Sequence, residues 1–300
     1  MSQLGLIIKN EYKTDISAKS FWIGTFLVPL LMVGFGAFAG YMAANSDSMM
    51  AVASTMSSSD DSEFTPLKAI GLMMGMFLTL FIMMYGSMIF QKVRVEKTNR
   101  IVEILATCVP GRTMMLAKII SVGLVGLTQI LLWALLIVAM AIGLLAILST
   151  SIPWDEILRP EFGMAILWSA LYFIGGYIFF GSLYASVGAM TDKNNENQEY
   201  MAVLTFVLLI SFYVGQYAVD HGSGLFVRVL SYIPFTSPII GAVNAITQTS
   251  PLWESILSIV ILFVCAWIAM VFSGKIYTSS ILLKGKKLSP KDIVTFLKSK

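Results

Sequence analysis

The chain has 300 residues, of which 57% are hydrophobic and 12% charged, with a mean hydropathy of +0.81. Soluble globular chains carry about 25% charged residues, so these figures exclude a water-soluble domain and leave an integral membrane protein, which the charge-poor stretches below make an all-α one. The net charge of +3 means little until the charges are placed, while Cys108, Cys265 and a lone His221 exclude a disulfide framework and most zinc and acid–base chemistry.

Residues 1–19 put Leu4, Ile8, Tyr12 and Ile16 on one helical ladder, with Lys9, Lys13 and Lys19 off it and Glu11 and Asp15 interleaved. That pattern predicts a helix lying in the membrane interface. Crossing the hydrocarbon core takes about 20 apolar residues. Charge-poor stretches predict six such spans, at about 20–44, 68–91, 113–140, 163–190, 200–219 and 255–274. The first is long, and no small-residue cleavage site follows it cleanly, so it reads as a retained span and not a signal peptide.

Between the second and third spans, residues 92–111 lie within QKVRVEKTNRIVEILATCVPGRTMMLAK (Gln91 to Lys118). Ile101, Ile104, Leu105 and Cys108 form an apolar stripe, and Glu96, Lys97, Arg100 and Glu103 cover the other side. Glu96 and Arg100, four apart in a helix-supporting order, favour a helix that Pro110-Gly111 ends. A cytoplasmic amphipathic helix tied to a span at each end can transmit force if something docks on its polar face. The plain alternative is a basic loop. Further on, 229–253 carries no charge from Val229 to Trp253, yet Pro234, Pro238 and Pro251 interrupt it, and the stretch lacks a clear inner loop. A re-entrant hairpin entering from the outer face explains both features, because broken backbone is tolerated at depth when protein surrounds it. The tail, 284–300, holds six lysines against Asp292 and reads as a basic cytoplasmic segment.

The lysines and arginines set the expected orientation. With both termini in the cytoplasm, 17 of the 20 basic residues lie inside, and Lys68, Arg159 and Arg228 lie outside. Topology thus accounts for the basic residues, and no nucleic-acid partner is expected. No GxxxxGK[ST] phosphate loop is present, so the chain is not expected to hydrolyse ATP itself. No metal or cofactor site is expected either. Ionisable side chains at mid-span usually mark ion paths, and their lack here counts against an ion-coupled carrier. Gln129, Tyr172, Tyr177, Tyr184, Tyr213 and Gln216 are polar groups at depth, candidates for a substrate path or for helix–helix hydrogen bonds. The methionines of the second span, Met73 to Met88, fit gap-filling packing better than a copper path. Gly36-xxx-Gly40 and Gly71-xxx-Gly75 permit close helix approach.

Three stretches in this order resemble the ABC type-2 export permeases, particularly the branch related to bacterial sodium-efflux and multidrug-efflux permeases. They are VRVEKTNRIVEILATCVPGRTMMLAKII with Glu96, Lys97, Asn99, Arg100, Glu103, Leu105 and Lys118 matching, Asn197-Gln198-Glu199 before the fifth span, and SYIPFTSPI (Ser231 to Ile239) in the hairpin. The resemblance covers nearly the whole chain. It implies a non-catalytic permease of the bacterial inner membrane, paired with a separate ATP-binding subunit that holds ATP and magnesium. It also implies a second permease, identical or paralogous, and a coupling helix that seats Glu96, Lys97, Arg100, Glu103 and Leu105 against the ATPase. An amphiphilic or hydrophobic cargo moving outward is the expected substrate. A stand-alone channel or secondary carrier is the alternative, and an intramembrane lipid enzyme lacks a nucleophile–base pair.

Overall fold

The computed structural model describes residues 3–19, 21–27, 29–30, 66–98, 109–148, 160–191, 199–222 and 224–282. Every regular element among them is helical: α1 (Gln3–Ser17), a stretch over 21–27, α2 (Pro66–Thr98), α3 (Gly111–Leu148), α4 (Pro160–Met190), α5 (Glu199–His221), α6 (Leu225–Tyr232), α7 (Ser237–Thr247) and α8 (Leu252–Leu282). Five of these, α2, α3, α4, α5 and α8, are long and apolar enough to cross a membrane. They fall on the predicted spans two to six. The predicted first span is described only over 21–27 and 29–30, and the basic tail lies outside the described residues.

The long helices outrun their apolar windows. α3 has 38 residues, about 57 Å at 1.5 Å per residue, against a hydrocarbon core of about 30 Å. Apolar side chains mark where lipid is met, whereas a helix satisfies its own backbone and can continue into the headgroups. Pro110 sets the start of α3, since its carbonyl accepts from Thr113 N at 2.9 Å and Met114 N at 3.2 Å.

Paired charges on the described helices gather at two levels. At one end Lys68 meets Asp220 at 3.0 Å, and Arg228 clasps the Glu254 carboxylate, its Nε donating at 3.1 Å. At the other end lie Glu11, Asp15, Lys92, Glu96 and Lys118. Lys68 and Lys92 share α2, and their separation along it is about 36 Å.

Short α7 fills the middle. Nine of its 11 residues are buried, and it packs against α2, α4, α5 and α8. Glycines on the surrounding helices make room. A Cβ at Gly75 on α2 would stand 3.1 Å from Val243, one at Gly176 on α4 would stand 2.5 Å from Pro238, and one at Gly215 on α5 would stand 2.8 Å from Ile239. The partner of Gly71-xxx-Gly75 is therefore α7 of the same chain. Neither α6 nor α7 is long enough to cross a bilayer, and a turn containing Pro234 joins them. Between α2 and α4 the aromatic core is continuous, with Phe81 against Tyr85 at 4.3 Å and against Phe173 at 5.0 Å between ring centroids.

Candidate functional site

The ladder of α1 faces the bundle, where Tyr12 and Ile16 pack on the core. That face also carries two carboxylates inward, because Glu11 and Asp15, four residues apart, stack one turn over the other. Lys92, one turn from the end of α2's apolar run, donates to Glu11 Oε2 and Asp15 Oδ2, each at 2.6 Å. Lys118 on α3 donates to Glu11 Oε1 at 3.2 Å and pairs directly with Glu96 on α2. Tyr277 on α8 donates its hydroxyl to the second oxygen of Glu96 at 3.0 Å. Four helices thus meet in one ionic knot.

The knot is largely withdrawn from solvent, with the Lys118 side chain 3% exposed. Burial alone raises a carboxyl group's affinity for its proton, and neighbouring ammonium groups oppose this. At Glu11, burial pushes upward but Lys118 and Lys92 together outweigh it, and the carboxyl sits below its ordinary range. At Asp15 burial wins over its bond to Lys92, with Glu11 adding repulsion, and the carboxyl sits above its ordinary range. The composition of the knot agrees with this: three carboxylates face two ammonium groups.

Each residue expected at a site has a definite place or lies outside the described residues. Glu96 points into the knot, and Lys97 follows it on the last turn of α2. Arg100, Glu103 and Leu105 lie outside the described residues. Gln129 is buried and accepts from the Tyr85 hydroxyl. Tyr177 donates to the Ile119 carbonyl at 2.7 Å, Tyr172 to the Ser255 carbonyl at 3.3 Å, and Gln216 to the Leu72 carbonyl at 3.4 Å, while Tyr184 and Thr205 share a hydrogen bond of 3.2 Å. Each of these bonds joins two helices. Tyr213 differs, being 70% exposed on α5. The structure does not gather the six into one cavity wall. Pro238 sits in the first turn of α7 against Gly176. Met73, Met76 and Met84 are exposed whereas Met74, Met83 and Met88 pack on the core, so the methionines of α2 do not converge.

Sequence reasoning identified Glu96 and Lys118 from the block around them but missed that Glu11, Asp15 and Lys92 join them. The available signal was the i, i+4 pair of carboxylates beside the α1 ladder, too short a pattern to choose its partners.

Five apolar helices bounded by two charged levels define a multi-pass membrane protein. The chain matches the model for ABC-2 family transporter proteins over residues 52–275, and it belongs to that family. The family is one of transporter membrane proteins, in agreement with the five apolar helices. It is 26% identical over 232 residues to the uncharacterized protein YhaP of Bacillus subtilis, an alignment covering 75% of this chain and 55% of that protein. It is 25% identical over 202 residues to the uncharacterized protein MJ1024 of Methanocaldococcus jannaschii, covering 67% and 47% respectively. The chain spans about half the length of these curated relatives. No solved structure matches it.

Proposed function

We propose that the chain is the membrane half of an ATP-driven exporter in a bacterial cytoplasmic membrane, with six spans and both termini inside. A separate ATPase seats the coupling segment, within residues 92–111, through Lys97, Arg100, Glu103 and Leu105. Glu96 is bound to Lys118 and Tyr277 at the base of that segment, and ATP-driven closure displaces the segment. A second permease, identical or paralogous, completes the transporter, and an amphiphilic or hydrophobic cargo moves outward. Residues 229–253, through α6 and α7, form a re-entrant hairpin from the outer face.

The observation that carries this reading is where the knot lies. Glu96, two residues before the end of α2, is bound to Lys118 near the start of α3. The segment between is thereby stapled at its base to the transmembrane bundle, which suits a part that must pass on a push. Rigid helices sliding or rocking as units are an established way to carry such movement. Family membership supports the ATPase partnership.

The test is affinity purification of the full chain in mild detergent with mass spectrometry of what stays bound. A stoichiometric ATPase with a phosphate-loop motif is expected, and Arg100→Glu or Glu103→Arg should release it. A homo-oligomer without any ATPase would sink the exporter reading.

A further inference from the structure

We propose that Lys118 is a positioning residue whose ammonium fastens α1, α2 and α3 into one rigid joint, so that displacing the coupling segment carries all three helices together. The inference rests on the coupling role proposed above for that segment.

Lys118 is the one described side chain in the knot that bonds both to a leg of this segment and to the N-terminal helix, through Glu96 on α2 and Glu11 on α1. Its side chain is almost fully buried. Apolar residues in place of all the members of such a buried cluster usually serve stability as well as or better than ion pairs. What the ammonium adds is direction, since it must stay within bonding distance of two carboxylates held on different helices.

α1 is also attached to α3 at a second point. Tyr12 and Thr128 share a hydrogen bond of 2.7 Å, ten residues and about 15 Å beyond Lys118 along α3. Two separated attachments resist rotation in a way that one does not. Lys92 adds a third link, from α2 to Glu11 and Asp15. The inner end of α8 closes the back of the joint through Tyr277 and through Thr278, whose side-chain oxygen would stand 2.5 Å from a Cβ at Gly111. Small displacements at a site are amplified when packed elements have discrete arrangements and do not bend continuously. A stiff joint at the base of the coupling segment passes a displacement on to the spans without absorbing it by bending.

The experiment uses the full permease with its co-purified ATPase in lipid nanodiscs, with Cys108 and Cys265 replaced by serine. Spin labels are placed at Lys9→Cys on α1 and Leu127→Cys on α3, both exposed positions. Distances are recorded without nucleotide and after vanadate trapping with ATP. The expected result is one narrow distance, the same in both states, that Lys118→Met replaces with a broad distribution differing between states and Lys118→Arg restores. A narrow, unchanged distance in Lys118→Met would overturn the proposal, as would a wild-type distance that shifts on trapping. If Lys118→Met fails to fold, Glu11→Gln is the second variant, since it weakens the α1 link while leaving Glu96 on Lys118. Broadening supports the joint, and an unaltered narrow distance refutes it. Failure of any ATPase to co-purify would count against the exporter reading, and the labels would still report the stiffness of the joint in the chain alone.

Discussion

Glu11 and Asp15 sit one turn apart and share Lys92, yet their carboxyl groups are displaced in opposite directions. The signs therefore oppose each other in the pH dependence of stability. A carboxyl below its unfolded value contributes stability that is fully present above that value and is lost as pH falls through the lowered one. One above its unfolded value favours the folded state while protonated, and that advantage is lost as pH rises through the raised value. The α1 docking should thus be firmest at mildly acidic pH, weakening above it through Asp15 and below the ordinary carboxylate range through Glu11. Thermal melts of the purified chain in nanodiscs across pH should show Glu11→Gln flattening the acid side and Asp15→Asn flattening the other. At pH 7 Glu11→Gln is expected to cost about 1.5–3 kcal/mol, in the range of a hydrogen bond to a charged group, and Asp15→Asn to be neutral or stabilising.

The two ion pairs at the opposite end make a second contrast. Glu254 is 3% exposed, but Asp220 is 48% exposed. Arg228→Met strands a buried carboxylate, whereas Lys68→Met leaves one that water can solvate. The first should lower the melting temperature clearly, and the second should leave it nearly unchanged. Equal effects would mean that solvent reaches Glu254 as freely as Asp220.

At the level of elements, close approach is written in particular glycines. A Cβ at Gly188 on α4 would lie 2.7 Å from the Phe90 carbonyl oxygen and 3.2 Å from its Cα, so backbone of α2 would have to move. Overpacking of that kind costs about 1–3 kcal/mol. Gly163, near the start of the same helix, has nothing within 4 Å of a Cβ. Gly188→Ala should therefore destabilise the protein in a denaturation series, while Gly163→Ala is neutral or gains up to about 1 kcal/mol in helix propensity. The opposite ranking would show that α2 and α4 are further apart than described.

The same glycines mark what could be read from sequence. Gly71-xxx-Gly75 announced a close contact but could not name its partner, because a small-residue stripe is blind to what fits it. Pro234 and Pro238 announced a break between spans five and six, and two short helices stand there. The tyrosines were harder. A hydroxyl at mid-span reads alike whether it meets cargo or a carbonyl on the next helix, and Tyr177, with its bond to Ile119, is the latter.

For the molecule as a whole, apolar stretches located the five described spans because lipid imposes its thickness on every one of them in the same way. The ionic knot was not legible, because it joins residues 11, 15, 92, 96 and 118, whose meeting depends on how the helices lie together. Orientation can be tested directly. A single cysteine at Lys13 should react with a membrane-impermeant maleimide only in inverted vesicles, and one at His221 only in right-side-out cells. The reverse pattern would invert the proposed topology.

The place of α7 constrains where anything could pass. Among the described residues α7 occupies the middle of the bundle, wedged against glycines on α2, α4 and α5. On the export function proposed above, transport is a matter of surfaces and not of bores. Cargo would have to travel along an outer wall, in a passage that does not exist until another body closes its far side. Single copies diluted into separate nanodiscs should then be inert however well they are folded, and activity should return with pairing.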